Sequence, residues 1–269
     1  TTSYSGHAKK ITTEAIQNGY RNILSVGGDG TNNEVLNGIC AQELVTLDNI
    51  LFSNIPLGTG NDWARSYKLS DAIADLIKSI KERNFQEQDI GVATYYSLGQ
   101  PRKQYFMNAA GLAYDAFVVK SLSNKRFKYF SRFVYLFYIM RLIFKYEPVL
   151  LKIKLDGKEI FAGRCYTVNV GNCRYCGGGL QITPHALPND QLLALTIVKS
   201  MPVLQVFSKL LKLMNGKIIH DSMAIVSEGR TIEVISESDI FYLELDGEFA
   251  GEGPVKIELY SQSLHFLTF

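Results

Sequence analysis

The chain has 269 residues, 46% hydrophobic and 20% charged, with 28 Lys and Arg against 26 Asp and Glu for a formal net charge of +2. That profile excludes wholesale disorder, collagen-like repetition and a highly charged nucleic-acid-binding tail. At roughly 150 residues per domain there is length for about two domains, each with its own core.

In chain order, a helical stretch over Ala8–Asn18 precedes a short apolar run, Asn22–Val26, that ends in glycines and suits a buried strand. Thr31-Asn32-Asn33-Glu34 spells a capping box and predicts a helix carrying Val35, Leu36 and Ile39 on one face. The pattern repeats: Ile50, Leu51 and Phe52 read as a strand, followed by the loop Pro56–Asp62 and a short helix. Asp71–Arg83 then reads as an amphipathic helix, with Ile73, Leu76, Ile77 and Ile80 at helical spacing. Strands feeding helices predict a parallel α/β sheet with its loops at the carboxyl edge.

From about Asp89 the pattern becomes strand after strand. Leu151, Ile153 and Leu155 alternate with Lys152 and Lys154, and Asp156-Gly157 turns the chain into a hairpin. Thr167–Val170, Leu192–Val198, Thr231–Ile235, Phe241–Leu245 and Val255–Leu259 continue an antiparallel β domain. Helices near Phe127–Lys145 and Pro202–Met214 interrupt it. The division is residues 1–90 and 91–269, with the last strand a candidate to return to the first domain.

Four cysteines are too few for a disulfide scaffold, which points to a reducing, cytoplasmic setting. Cys173 and Cys176 form one CxxC, short of the four ligands of a zinc site, and no GxSxG marks a hydrolase. The longest apolar run, Phe133–Phe144, contains Arg141 and falls short of the roughly 20 residues of a membrane span.

Gly27-Gly28-Asp29-Gly30-Thr31 lies between a strand and a helix. Glycines let backbone N–H groups approach phosphate oxygens, and a helix N-terminus adds roughly half a positive charge. A tight turn without a ligand is the alternative. Asp29 inside the loop would repel a phosphate unless a metal ion or a proton intervened. Gly58-Thr59-Gly60-Asn61-Asp62 stands at the equivalent place after the next strand, so the two loops suit one shared phosphate site.

GGDGTNNEVLNG followed some thirty residues later by PLGTGNDWAR resembles the diacylglycerol kinase catalytic-domain family, which includes bacterial lipid kinases and sphingosine and ceramide kinases. Three further stretches agree: Asn108-Ala109-Ala110-Gly111 leading to Asp115; Gly177-Gly178-Gly179-Leu180 through Pro184 to Asn189–Leu192; and Leu245-Asp246-Gly247-Glu248. The resemblance implies a Rossmann-like, phosphofructokinase-like α/β domain followed by an antiparallel β-sandwich, with ATP in the cleft between them. Gly27, Gly28, Asp29, Gly30, Thr31 and Glu34 would line the nucleotide, with Thr59, Asn61 and Asp62 opposite and Mg²⁺ on Asp29. Glu248 would accept the proton of a lipid hydroxyl, with Asp246 the competing base. An Asp-Gly hairpin turn is the structural alternative for that motif.

A structural Mg²⁺ would sit on Asp190 with the carbonyls of Leu187 and Leu192, although Gln191 stands where the family has glycine. A surface Asx turn is the alternative there. The activity implied is transfer of the γ-phosphoryl group of Mg-ATP to diacylglycerol or a related lipid. An NAD kinase-like enzyme and a non-catalytic nucleotide- or membrane-binding protein of the same fold are the rivals. Family members also begin with a strand and a glycine turn that this sequence is expected to lack.

Lys120–Tyr146 carries seven basic residues and no acidic one, interleaved with aromatics, leaving 21 basic against 26 acidic elsewhere. A cationic aromatic helix suits peripheral contact with an anionic membrane, at about 1 kcal/mol per Lys or Arg near the surface. A helix packed on the β domain is the alternative, and the phosphate-transfer motifs favour lipid over nucleic acid. An open sheet edge in the β domain would permit a homodimer.

Overall fold

The computed structural model describes residues 1–123, 138 and 140–268. The first unit runs α1 (His7–Gln17), β1 (Asn22–Gly27), α2 (Asp29–Cys40), β2 (Leu51–Pro56), α3 (Asp62–Tyr67), α4 (Ile73–Glu82) and β3 (Phe85–Gln88). Strands β1 and β2 pair in parallel from Asn22 opposite Leu51 to Gly27 opposite Pro56. Both glycine loops therefore leave the sheet at the same edge. Between β2 and β3 lies the last strand of the chain, Leu264–Leu267, parallel to β2 and antiparallel to β3. Its Phe266 is fully buried among Phe52, Trp63 and Tyr67, with ring centroids 5.1 Å from Trp63 and 4.5 Å from Tyr67.

Two local expectations are corrected here. Thr31 does not cap α2: the helix starts at Asp29, after an extended Gly28. Glu34 instead reaches back to α1, where its carboxylate accepts from the backbone N–H of Gly6 at 2.6 Å and of Ala8 at 2.9 Å. A glutamate does this because the first N–H groups of a helix lack intrahelical partners. On α4, Leu76 is buried while Ile73, Ile77 and Ile80 remain exposed, so the apolar stripe is only partly used as core.

The second unit contains β4 (Gly91–Ser97), β5 (Gln100–Phe106), β6 (Ala109–Ala113), α5 (Tyr114–Ser123), β7 (Val149–Leu155), β8 (Lys158–Gly171), β9 (Tyr175–Cys176), β10 (Leu180–Gln181), β11 (Leu193–Lys199), α6 (Val203–Met214), β12 (Ala224–Gly229), β13 (Thr231–Ile235), β14 (Tyr242–Leu245) and β15 (Glu248–Leu259), with Leu264–Leu267 as β16. Ten strands form one sheet, in which β8 pairs with β7 along its first half and with β6 and β11 along its second. The sheet thus folds back on itself around Phe106, Leu112, Ile153, Val168, Ile232 and Leu243. The β7–β8 hairpin turns on Asp156 and Gly157, both left-handed at φ 49° and 79°, as an Asp-Gly turn requires. Helices α5 and α6 pack outside the sheet on Tyr166, Val198, Met201 and Ile218. The helix expected over 127–145 lies largely outside the described residues.

Candidate functional site

Loop packing explains the glycines first. A Cβ on Gly58 would stand 2.5 Å from the Cα of Gly28, and one on Gly27 would stand 2.6 Å from Thr31 Oγ1. The two loops touch backbone to backbone. Asn61, left-handed at φ 51°, closes its own loop: its Oδ1 accepts from Gly58 N at 2.9 Å and its amide donates to the Gly58 carbonyl at 2.9 Å. Its side chain is therefore a loop brace, whereas Thr59 is exposed at the loop tip.

Asp29 joins the loops. Its carboxylate accepts from the backbone N–H of Asp62 at 3.0 Å and of Trp63 at 3.1 Å, capping α3 from across the sheet edge. Asp62 extends the chain of contacts into the second unit, accepting from Gly178 N at 2.7 Å. Gly177, Gly178 and Gly179 all have positive φ, which lets that loop reach under the carboxylate. Burial pushes the Asp62 carboxyl up to about 6, and the neighbouring Asp29 charge adds to the rise. Its Oδ1 is buried without a hydrogen-bond partner, 3.6 Å from Arg65 Nε. A Cβ on Gly60 would lie 3.2 Å from Asp29 Oδ2 and 3.7 Å from Asp62 Oδ2, so the two carboxylates converge on one spot.

Across the cleft, the β14–β15 turn separates two carboxylates that look alike in sequence. Asp246, left-handed at φ 50°, is buried and accepts four hydrogen bonds. They come from Asn33 Nδ2 at 2.8 Å, Met107 N at 3.1 Å, Asn108 N at 2.9 Å and Ala109 N at 3.0 Å. Burial still pushes its carboxyl up to about 6. Its lone pairs are committed to holding the β5–β6 connection against α2. Glu248, two residues on, is exposed, and a Cβ on Gly30 would stand 3.1 Å from its Oε1. The Glu248 carboxylate thus faces the first turn of α2.

Behind the turn, a mostly apolar pocket, partly open to solvent, runs between α5, α6 and the sheet. Gly247 lines one part of it, together with Asp115 of α5 and Glu244 of β14. Neither α5 nor Glu244 was anticipated from the sequence, and Asp115 only as the end of the Asn108–Gly111 stretch. Asn33, the α2 partner of Asp246, was likewise unassigned; the TNNE motif was its only signal. At the 187–192 turn, Asp190 Oδ1 accepts from Leu192 N at 3.0 Å as an Asx turn, and Gln191 tolerates φ 62° while donating its N–H to Asp89 at 2.6 Å. Leu187 is exposed there. Among the described residues no cluster of three or more His, Cys, Asp or Glu side chains is placed to hold a metal ion. All four cysteines are free, and burial pushes the Cys173 thiol up to about 12.

Residues 1–93 match the diacylglycerol kinase catalytic domain family, and residues 109–268 match the YegS C-terminal NAD kinase beta sandwich-like domain. The chain is 29% identical over 254 residues to the diacylglycerol kinase of Bacillus subtilis (strain 168), covering 94% of this chain and 79% of that protein. It is 26% identical over 267 residues to the diacylglycerol kinase of Staphylococcus carnosus (strain TM300), covering 99% and 83%. A crystal structure of a diacylglycerol kinase from Bacillus anthracis str. Sterne shares the fold at a TM-score of 0.71 and 24% identity, covering all of this chain and 83% of that one.

Proposed function

Since this chain belongs to the diacylglycerol kinase catalytic-domain family and carries its YegS-type C-terminal domain, we propose that it is a lipid kinase that transfers the γ-phosphoryl group of ATP to the hydroxyl of diacylglycerol or a related lipid. The observation that carries this reading is the position of Glu248. It stands over the first turn of α2 on one side and beside Gly247, at the apolar pocket, on the other. An acyl chain in that pocket would bring its headgroup hydroxyl to the same turn where a phosphate would meet the α2 N-terminus. A dinucleotide acceptor, as in the NAD kinase alternative, would find little polar surface there.

The converging carboxylates of Asp29 and Asp62, with Oδ1 of Asp62 lacking a hydrogen-bond partner, suit a divalent cation, which Mg²⁺ sites typically hold through one or two carboxylates plus phosphate oxygens and water. When bound, Mg²⁺ supplies positive charge to the phosphate oxygens. Backbone N–H groups of Gly28, Asp29 and Gly30 orient the phosphates. Glu248 takes the proton from the acceptor hydroxyl as its oxygen bonds to the γ-phosphorus and the bond to the β-phosphate oxygen breaks, leaving ADP. Asp246 keeps the turn in place. A second, structural Mg²⁺ would be held at the 187–192 turn by Asp190 with the Leu187 and Leu192 carbonyls; Asp89, raised by its own burial and by the Asp190 charge, is a further carboxylate there.

The enzyme works at a membrane surface. Phe144 and Leu204 are 65% and 82% exposed, and Phe144 packs on Phe207 at 5.6 Å between ring centroids. Phe144 belongs to the basic 120–146 segment, so an apolar patch lies at its described end, and among the described residues no helix is long and apolar enough to cross a bilayer.

Transfer of labelled phosphate from Mg-ATP to a panel of diacylglycerol, phosphatidylglycerol and single-chain lipids tests the reading. Glu248→Gln should keep the fold and lose roughly 10²–10⁴-fold in kcat, the size of a general-base contribution. Transfer to no lipid, or near-native turnover of the folded variant, would overturn it.

A further inference from the structure

Three hairpins among the described residues turn on two residues with left-handed backbone, and two of them use a residue pair suited to it. Asp156-Gly157 sits at φ 49° and 79° and Asp246-Gly247 at φ 50° and 84°, and each aspartate also accepts backbone N–H groups from a neighbouring loop. The third turn, between β4 and β5, has Leu98-Gly99 at φ 52° and 72°. Leucine gains nothing from that position. The left-handed region crowds its Cβ against the following carbonyl, and its side chain offers no hydrogen bond in return. Nor does it pack: Leu98 is 95% exposed, and a Cβ on Gly99 would meet no atom within 4 Å, so the tip stands in open solvent.

The surroundings of the tip point to one kind of partner. Tyr96, two residues before it, is exposed and in register with Glu252 of β15, which is in turn in register with Tyr242. Tyr242 meets the exposed Phe249 at 6.0 Å between ring centroids, and Lys120 of α5 lies over both rings, 3.6 Å from the first and 5.5 Å from the second. Beyond the tip, Pro101, Arg102 and Lys103 are exposed along β5. Gly91–Phe106 contains no acidic residue, and Glu252 and Glu258 of β15 stand opposite Tyr96 and Val92, short of the tip. A proline and two cations keep the open edge of β5 from pairing with another strand. That need is met without Leu98. An apolar side chain at the apex, an aromatic ring behind it and cations flanking it match the layers of a bilayer surface, which are hydrocarbon, interface and phosphate. Resting on the lipid-kinase reading for the identity of the partner, we propose that the β4–β5 hairpin is a membrane-inserting finger, with Leu98 among acyl chains, Tyr96 at the interface and Arg102 and Lys103 on anionic headgroups. Its partner is the surface of an anionic bilayer. Lys120 belongs to the basic 120–146 segment, so the finger's sheet and that segment meet at α5. The strand that pairs with the finger, β15, begins at Glu248, so docking fixes the proposed base relative to the bilayer.

The test is vesicle co-sedimentation without nucleotide, comparing vesicles of phosphatidylcholine with vesicles of equal parts phosphatidylcholine and phosphatidylglycerol. Leu98→Asn should weaken binding to the anionic vesicles about tenfold, the loss expected when one leucine side chain returns to water. Its melting temperature should equal or exceed the parent's, because asparagine tolerates the left-handed region. Arg102→Gln and Lys103→Gln should each cost roughly fivefold on the anionic vesicles and leave binding to pure phosphatidylcholine unchanged. In Leu98→Trp, lipid brominated along its acyl chains should quench the added indole, whereas the fully buried Trp63 keeps its emission. Absence of vesicle binding by the parent, or binding that Leu98→Asn leaves intact, would overturn the proposal. A melting temperature lowered by Leu98→Asn would also overturn it, since the leucine would then serve the fold. So would self-association without lipid that Leu98→Asn abolishes, which would make the tip an interface between copies. Leu98-dependent vesicle binding with no phosphate transfer to any lipid would remove the kinase reading and leave the finger standing. Transfer to micellar lipid, with vesicle binding indifferent to Leu98, would do the reverse.

Discussion

Asp246 and Glu248 show how far two carboxylates in one motif can diverge. Asp246 answers three consecutive backbone N–H groups, Met107 to Ala109, and the Asn33 amide. Removing it strands donors that are buried, at about 1–3 kcal/mol for each group left unpaired. Asp246→Ala should therefore lose about 3 kcal/mol or more of unfolding free energy in urea titration. Glu248→Ala, on an exposed side chain, should stay within about 0.5 kcal/mol of the parent while losing activity. Equal destabilisation by the two substitutions would mean that the anchor and the base had been assigned the wrong way round. The sequence motif names both residues and cannot separate them, because the separating fact is the backbone of residues 107–109, more than 130 positions away. The same holds for Asp115 and Glu244, whose adjacency depends on β6 lying beside β14. Glu34 was misread for a related reason: TNNE is a valid local cap, but Gly6 and Ala8 offered its carboxylate a better partner in another helix.

Among elements, those with a strong period and a turn signal were legible. The β7–β8 hairpin, β13 and α6 all fall within a residue or two of where alternation and helical spacing put them. The β4–β5 hairpin and α5 were not anticipated. Exposed β5 lacks alternation, and α5 begins directly at the end of β6 with no break to announce it. What the period does not reveal is how an element is tied down. Helix α6 is held by Asp221, which is buried and accepts from Lys209 Nζ at 2.6 Å and Lys212 Nζ at 2.5 Å. Burial alone would raise the Asp221 carboxyl, but the two ammonium groups and the Met223 N–H outweigh it and hold it well below the usual carboxylate range. A depressed carboxyl contributes stability that is present above its unfolded value, about 3.9, and is lost as pH falls through the folded one. Asp221→Asn should cost about 1–3 kcal/mol at pH 7, discounted toward the lower end because Lys212 is 41% exposed. The difference from the parent should shrink steadily in thermal unfolding as pH falls below about 4, and close only below the depressed folded value. A difference that persists unchanged in acid would show that the packing of α6, not the charge, was lost.

At the scale of the molecule, chain order and sheet order disagree in a way that binds the two units together. The chain leaves the first sheet at β3, builds all of the second unit, and returns as β16 to fill the gap between β2 and β3. Without β16 those strands have no direct partner in common, and Trp63, Tyr67 and Phe52 lose the ring they close on. Buried Gln88 adds a second tie: it accepts from Trp63 Nε1 at 2.6 Å and Tyr67 OH at 2.9 Å and donates to the Met107 carbonyl in the second unit. Such a first unit cannot close until the second has brought its end back, so the two should unfold together. Trp63, the sole tryptophan, reports on the first unit, while far-UV circular dichroism is dominated by the strands of the second. Urea transitions followed by the two signals should coincide. Phe266→Ala removes a fully buried ring and should cost about 3–5 kcal/mol, moving both transitions by the same amount. If the fluorescence transition moved alone, the two units would be independent, and the return of β16 would be a matter of topology without a consequence for cooperativity.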